Sequence, residues 1–124
     1  MILRQMIPFR RLKAWEKSHE LVLAIYTETR RWPPDERFGL IAQARRAAVS
    51  VTCNVAEGSA RLGGRELRRF ADIAVGSLAE LSSLLQVALD LGYLTPDDWS
   101  RIDGLRNTAG KLVFGLARSM TRSS

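Results

Sequence analysis

The sequence predicts an all-α protein, an antiparallel up-down-up-down four-helix bundle formed by a single domain over residues 1–124. Apolar residues recur at steps of three and four through most of the chain, which is the period of one face of a helix. Prolines and glycines interrupt this pattern, and no segment alternates as a strand would. The predicted helices cover residues of about 10–31, 36–59, 65–91 and 96–118. Connections this short place consecutive helices side by side and antiparallel.

The first predicted helix carries an apolar stripe and ends at two prolines. The stripe consists of Trp15, Ser18, Val22, Ile25, Thr29 and Trp32. Pro33 and Pro34 cannot continue the helix, and the residue before a proline is pushed out of helical geometry. Asp35 and Glu36 follow at the expected start of the second helix, where negative charge complements the helix dipole.

The second predicted helix combines a seam of small residues with a line of polar ones. The seam consists of Leu40, Ala44, Ala47, Val51, Asn54 and Gly58, and the polar line of Gln43, Arg46, Ser50 and Glu57. Buried polar groups often fix the register of packed helices, so we interpret these polar residues and Asn54 as structural. If the second and third helices pack antiparallel about the 58–64 turn, Gln43 lies near Glu80 and Arg46 near Ser77. We therefore expect Glu80 to be tied to Gln43 or Arg46.

The third predicted helix has the strongest period and more apolar surface than one bundle interior can cover. Its seam consists of Leu67, Phe70, Ala74, Ser77, Leu81, Leu84, Ala88 and Leu91. Ile73, Leu78 and Val87 lie outside that seam, and exposed apolar patches usually mark an interface, so the pattern predicts an oligomer. Gly92 then ends the helix, and a Thr-Pro-Asp-Asp sequence from Thr95 is typical of the start of the fourth.

Composition and motif content argue against several kinds of site. The chain has one histidine, His19, and so only one Glu-x-x-His motif, from Glu16, where a di-metal bundle needs that motif on two helices; a di-metal catalytic bundle is therefore not expected. The single cysteine, Cys53, excludes a disulfide framework, favours the cytoplasm and is expected to be a buried, inert thiol. Charged residues interrupt the most apolar stretch, 73–91, and no signal peptide is visible, so no membrane partner is expected. We expect no enzymatic activity, no metal and no cofactor.

The chain is strongly basic, with a formal net charge of +6, and all but three of its 19 basic residues are arginine. Arginine suits phosphate recognition, although a GC-rich genome yields the same composition. In the predicted bundle, the start of the first helix and the turn between the second and third lie at one end. We call the basic residues there the basic end: Arg10, Arg11, Lys13, Arg61, Arg65, Arg68 and Arg69. A second group, Arg30, Arg31 and Arg37, lies at the opposite end.

Two interpretations of the basic end remain open. It is either a phosphate-binding surface that repeats around an oligomer or a solvated end neutralised by Glu16, Glu57 and Glu66. We favour the phosphate-binding interpretation.

Two runs in the chain carry a resemblance to a known family. They are GLIAQARRAAVSVTCNVAEGSAR, which begins at Gly39, and GSLAEL, which begins at Gly76. The specific positions are Gln43, Arg45, Arg46, Ser50, Asn54, Ala56, Glu57 and Gly58. Over about residues 12–116 the chain resembles small bacterial four-helix-bundle proteins first noticed as open reading frames in intervening sequences of 23S ribosomal RNA genes. It departs from them at Thr52, where the family commonly has proline.

The resemblance implies an antiparallel bundle that assembles into a homopentamer, and it implies no enzymatic activity. It also implies kinship with the accessory protein of diversity-generating retroelements, a basic pentamer that engages nucleic acid and a reverse transcriptase. Two functional hypotheses follow. One is a nucleic-acid-binding or scaffolding oligomer that contacts RNA or DNA through its basic surface. The other is a protein-interaction module that docks a partner through the apolar face of its third helix.

Overall fold

The computed structural model confirms the all-α four-helix bundle. It describes residues 8–61 and 64–123, with the side chains of the last helix as far as residue 119. The helices are α1, Lys13–Thr29; α2, Leu40–Ala60; α3, Gly64–Asp90; and α4, Pro96–Ser123. Two 3-10 turns, Phe9–Arg11 and Pro34–Glu36, precede α1 and α2. Each helix packs on its neighbours in the chain, and α4 closes the bundle against α1. No β-strand occurs in the described ranges.

The core forms where small side chains of α2 meet larger ones of α3. Ala44, Ala48 and Val51 are fully buried, as are Leu81 and Leu85 of α3. Because alanine side chains are small, α3 can approach α2 closely and bury its leucines against it. Four of the six residues of the predicted seam, Ala44, Ala47, Val51 and Gly58, are buried, and the other two, Leu40 and Asn54, are partly buried.

The two helices approach each other most tightly at Gly58, close to the turn between them. A Cβ atom at this position would lie 2.9 Å from Leu67 Cδ1 and 3.0 Å from Phe70 Cβ. Both distances are shorter than ordinary van der Waals contact, and one of the atoms belongs to the stiff base of a side chain. Gly58 is therefore needed for packing and not as the end of α2, which continues to Ala60.

The connection between α1 and α2 differs from the prediction, because the residues before Leu40 form a turn and not the first turn of a helix. Glu36 lies in the 3-10 turn, and its Oε1 accepts a hydrogen bond from the N–H of Leu40 at 3.0 Å. Gly39, with φ of −104° and ψ of −114°, is outside helical geometry. A Cβ at Gly39 would lie 2.5 Å from the same Glu36 oxygen. Glu36 thus caps α2 from the preceding turn, where its charge also favours the helix dipole.

The connection between α3 and α4 has the predicted chemistry. Gly92 adopts a left-handed conformation, with φ of 80°, and its N–H donates to the carbonyl of Leu89. The N–H of Tyr93 donates to the carbonyl of Ala88 at 2.9 Å, which completes a Schellman motif. At the start of α4, the Thr95 hydroxyl accepts the N–H of Asp98 at 3.0 Å. This hydrogen bond is the predicted N-cap.

The outward face of α3 is apolar in part, and one of the three residues expected there is buried. Ile73 and Val87 are each 43% exposed, but Leu78 is only 3% exposed. The prediction for Leu78 is wrong because Gly110 of α4 leaves room for it; a Cβ on that glycine would lie 3.8 Å from Leu78 Cδ1. By length and composition alone, α3 could cross a membrane, but its buried residues pack on α2 and α4 within the bundle.

Candidate nucleic-acid interface

The structure brings the predicted residues of the basic end together. The turn Phe9–Arg11 packs against α2, and α1 begins beside the carboxyl-terminal end of that helix. All of the basic end is exposed: Arg10, Arg11, Lys13, Arg61, Arg65, Arg68 and Arg69. The two segments that carry these residues thus form one surface at one end of the bundle.

Most of these side chains nevertheless have a carboxylate close by. The ion pairs are Lys13–Glu16 at 3.6 Å, Arg61–Glu57 at 3.0 Å, Arg68–Asp72 at 3.9 Å and Arg69–Glu66 at 3.7 Å. Each joins residues three or four apart on one helix, the usual spacing of such pairs. Exposed pairs contribute little stability, but their carboxylates compete with phosphate for the same guanidinium groups. Within the described residues, Arg10, Arg11 and Arg65 form no ion pair.

Aromatic rings also lie at this end. Arg61 and Arg69 both lie over the ring of Phe70, at 5.3 and 4.9 Å from its centroid. Phe9 packs edge-on against Trp15, with the ring centroids 5.0 Å apart, and His19 stacks on the Trp15 ring, with the centroids 4.7 Å apart. These contacts hold several basic side chains close to the bundle and give the single histidine a stacking role.

The predicted structural polar residues divide into two groups. Ser50 contacts Ser77 across the α2–α3 interface, with the two hydroxyl oxygens 2.8 Å apart. Asn54 donates to the carbonyl oxygen of Ser50 at 2.8 Å and to its hydroxyl at 3.1 Å. The other residues are exposed: Gln43, Arg46, Glu57 and Glu80.

The predicted tie of Glu80 to Gln43 or Arg46 is wrong: within the described residues, Glu80 forms no hydrogen bond or ion pair. The polar contact between the helices pairs Ser77 with Ser50, about one turn away from the predicted Arg46. Part of the shift arises because α2 extends to Ala60, beyond the start of the 58–64 turn on which the predicted register was based. Side chains also lean toward the amino terminus of their own helix, which moves contacting positions further along both chains.

A second basic surface, which the sequence did not predict as a site, opens between α1 and α2. It is a groove of about 530 Å³ that we call the arginine groove. Its lining residues are Tyr26, Arg37, Phe38, Ile41, Ala42, Arg45, Arg46 and Val49. Among the described residues no carboxylate lines it, and Phe38 is 87% exposed. Of these arginines, only Arg37 belonged to a basic group noted in the sequence.

A polar cluster supports the same end of the bundle. Glu28 is 1% exposed and accepts hydrogen bonds from Arg31 and from Trp32 Nε1, the latter at 3.1 Å. Tyr93 donates its hydroxyl proton to Glu36 Oε2 at 2.9 Å. The hydrogen bond to Glu36, assisted by partial burial, raises the pKa of Tyr93 above its usual value. The cluster ties the end of α1 to the turns beside it. The spacing Glu28-x-x-Arg31-Trp32 was the available sequence signal.

A cavity of about 430 Å³ adjoins this cluster, and its charged groups have partners within the protein. Arg31 lies 3.2 Å from Asp98 as well as bonding Glu28. Hydrogen bonding by the Thr95 side chain, together with the charges of Arg31 and Arg101, lowers the pKa of Asp98. The cavity is therefore part of the structural cluster.

Two expectations concern metal-ligating groups and the single cysteine. The described part of the chain contains no group of His, Cys, Asp and Glu side chains placed to hold a metal ion. Cys53 is exposed, and the prediction that it is buried is wrong. It lies on the outward line of α2 that also carries Arg46 and Glu57, which face solvent.

Comparison with known proteins places the chain in a family. A solved structure from the S23 ribosomal protein family of Bacteroides thetaiotaomicron, described as a protein with unknown function, has a similar fold, with a TM-score of 0.75. The two sequences are 19% identical over 84% of this chain and 97% of the other, which supports the fold alone. Among curated proteins, none matches the sequence significantly. The model of the 23S rRNA-intervening sequence protein family matches residues 10–123, and the chain belongs to that family.

Proposed function

We propose that this chain is a non-enzymatic, oligomeric protein that binds or scaffolds nucleic acid through its basic surface. The observation that carries the proposal is the presence of exposed arginines without a carboxylate partner at the basic end, namely Arg10, Arg11 and Arg65. An arginine that is not already paired can neutralise a phosphate and release its counterion, which is the main source of non-specific affinity for nucleic acid. RNA and DNA both offer that chemistry.

The exposed apolar face of α3 supports the oligomeric part of the proposal. Ile73 and Val87 lie two heptads apart on the same side of the helix, and Leu91 near its end is also exposed. A second copy that covers this face would remove the apolar surface from water. The family resemblance points to a homopentamer. Light scattering coupled to size exclusion should give a mass several times 13.9 kDa. A mass near that of one chain would contradict the oligomeric part of the proposal.

The same face favours a second candidate function, the docking of a partner protein without nucleic acid. If the kinship with retroelement accessory proteins that the resemblance implies holds, a reverse transcriptase is one candidate partner, and the cytoplasm is the expected location. The two functions differ in their response to salt, because phosphate binding releases counterions and apolar docking does not. Binding to RNA that falls steeply with salt favours the first function.

The experiment that tests the proposal is the binding of labelled single-stranded RNA by an Arg11→Gln/Arg65→Gln variant. Loss of two phosphate contacts should flatten the slope of log K against log salt by about 1.4 and reduce affinity about tenfold at moderate salt. The matched control is Arg101→Gln/Arg106→Gln, which removes the same charge from α4, where both arginines are paired with aspartates. Equal losses in both variants, or no binding by the wild type at low ionic strength, would overturn the proposal.

A further inference from the structure

We propose that the arginine groove binds one or two nucleotides of a single-stranded nucleic acid, with a base stacked on Phe38 and the backbone phosphate held by Arg37 and Arg46. The inference rests on the proposed function but assigns a different surface, and it adds recognition of bases to recognition of charge. It follows from four observations on shape, charge, arginine placement and aromatic exposure.

The size and lining of the groove suit a nucleotide base. A volume of about 530 Å³ falls within the usual range of ligand sites, about 300–1,000 Å³. Ile41, Ala42 and Val49 form an apolar part, and Tyr26 and Phe38 add rings. The lining therefore combines apolar, aromatic and basic side chains, a combination that suits a base attached to a phosphate.

The charge of the groove is not neutralised from within the protein. Within residues 8–61 and 64–123, Arg37, Arg45 and Arg46 form no ion pair. Glu36, the carboxylate next to Arg37 in sequence, is engaged elsewhere, since one oxygen accepts the N–H of Leu40 and the other the hydroxyl of Tyr93. An anion that enters the groove would thus meet arginines without displacing a protein carboxylate.

Arg45 is held in place before any ligand arrives. Its Nε donates to the Thr29 hydroxyl at 2.9 Å, and its guanidinium lies over the ring of Tyr26, 4.6 Å from the centroid. Thr29 is itself fixed, because its hydroxyl donates to the carbonyl of Ile25 at 2.7 Å. The Nε–H is one of five donors in a guanidinium, so others remain available for an anion. A planar guanidinium fixed in this way also offers a stacking surface for a base.

Phe38 is the most exposed large hydrophobic side chain in the described structure, and it stands at the rim of the groove. Arg37 lies near its ring at 5.2 Å from the centroid, so charge and aromatic surface occur together. Proteins that bind single strands combine a basic groove with aromatic side chains on which bases stack. A second copy of the chain could also cover Phe38, but it would have to remove several unpaired arginines from water. The unpaired charge therefore favours the nucleic acid.

The test measures the binding of fluorescein-labelled oligoadenylate by fluorescence anisotropy for Phe38→Ala and Arg46→Gln. Phe38→Ala should reduce affinity about tenfold and leave the slope of log K against log salt unchanged, because it removes stacking and no charge. Arg46→Gln should flatten the slope by about 0.7. Phe114→Ala is the matched control, since Phe114 is an exposed phenylalanine on α4 with Arg118 near its ring; it should bind as the wild type does.

Inorganic polyphosphate provides a competitor with charge but no bases, and Phe38→Ala should not change its affinity. Wild-type affinity of Phe38→Ala for oligoadenylate, or an equal loss in Phe114→Ala, would overturn the groove assignment. If Arg11→Gln/Arg65→Gln still weakens binding in that case, the proposed function stands without the groove. Light scattering could instead show a lower oligomer mass for Phe38→Ala while its RNA affinity is unchanged. That result would mean that Phe38 contacts a second copy of the chain, and it would also overturn the inference. No RNA binding by the wild type would overturn both proposals.

Discussion

The basic end and the arginine groove carry the same kind of side chain in different electrostatic settings, because the basic end mixes paired with unpaired basic residues. At the basic end, Arg61 lies 3.0 Å from Glu57 and Arg69 lies 3.7 Å from Glu66. In the groove, no carboxylate of the described ranges lines the surface. Under the proposed function, the arginines available to phosphate are the unpaired ones. Within the described residues these are three of the six arginines at the basic end and all three in the groove.

The cause of the difference is visible in the spacing of the sequence. Ion pairs at the basic end join residues three or four apart on a helix, where side chains are neighbours. Arg45 and Arg46 have only Ile41, Ala42, Gln43, Ala48, Val49 and Ser50 at those distances. No local acid can reach them from their own helix, so they stay available to a ligand.

Disruption of the polar cluster should affect the groove and spare the basic end. Glu28→Gln removes a buried carboxylate that accepts hydrogen bonds from Arg31 and Trp32, and we expect the free energy of unfolding to fall by about 2 kcal/mol. The turn that carries Arg37 and Phe38 should loosen with it. Chemical denaturation measures the first effect and oligoadenylate affinity the second.

Glu20→Gln is the control on the same helix, because Glu20 is exposed and pairs with Lys17 at the surface. We expect it to change the free energy of unfolding by less than about 0.5 kcal/mol. Equal destabilisation by Glu20→Gln and Glu28→Gln would contradict the role given to the cluster.

Gly58→Ala should disturb the packing at the basic end of the bundle and lower the stability of the protein. The added methyl group would press on Leu67 and on Phe70, the ring over which Arg61 and Arg69 lie. Overpacking costs about 1–3 kcal/mol and outweighs the gain of about 1 kcal/mol in helix propensity, so a net loss of about 1 kcal/mol is expected. Gly104→Ala, where nothing lies within 4 Å, should stabilise the protein by about 0.5–1 kcal/mol. Thermal unfolding compares the two variants, and stabilisation by both would show that α2 and α3 have room at Gly58.

Removal of carboxylates should make the basic end behave more like the groove. Glu57→Gln/Glu66→Gln frees Arg61 and Arg69, and we expect affinity for single-stranded RNA to rise several-fold, with a steeper dependence on salt. The control, Asp90→Asn/Asp97→Asn, makes the same change in net charge at the far ends of α3 and α4. A rise of the same size in the control would mean that net charge, and not pairing, sets the affinity.

The smallest effect is a difference at alkaline pH that belongs to the groove end alone. Because Glu36 raises the pKa of Tyr93 in the folded state, the folded protein holds that proton more tightly than the unfolded chain does. This contribution to stability is complete below the ordinary tyrosine pKa of about 10 and is lost as the pH rises through the higher folded value. Tyr93→Phe should therefore lose less stability between neutral pH and that range. If the free energy of unfolding of Tyr93→Phe fell with alkaline pH as much as that of the wild type, the role assigned to the Tyr93–Glu36 hydrogen bond would be contradicted.

Local chemistry explains which parts of the fold were predicted from sequence. The helix period, the Gly92 stop and the Thr95 cap depend on residues close together in the chain, and all three are present in the structure. The seam of α2 was also predicted, since small residues at steps of three and four have no better place than the interior.

The parts that failed depend on how helices meet. Glu80 was assigned a partner from an assumed register, and Leu78 was left exposed because the room provided by Gly110 was not foreseen. The arginine groove was missed for a related reason. Residues 36–39 were predicted as helix, yet they form the turn that brings Phe38 beside Arg45.

The most direct test of the account is the salt dependence of single-stranded RNA binding by the wild-type protein, measured by fluorescence anisotropy. Unpaired arginines that contact phosphates should make log K fall linearly with log salt, and three such contacts would give a slope of about −2. A slope at least this steep is the predicted result. No binding at low ionic strength, or an affinity that does not change with salt, would contradict the claim that unpaired arginines on this bundle bind nucleic acid.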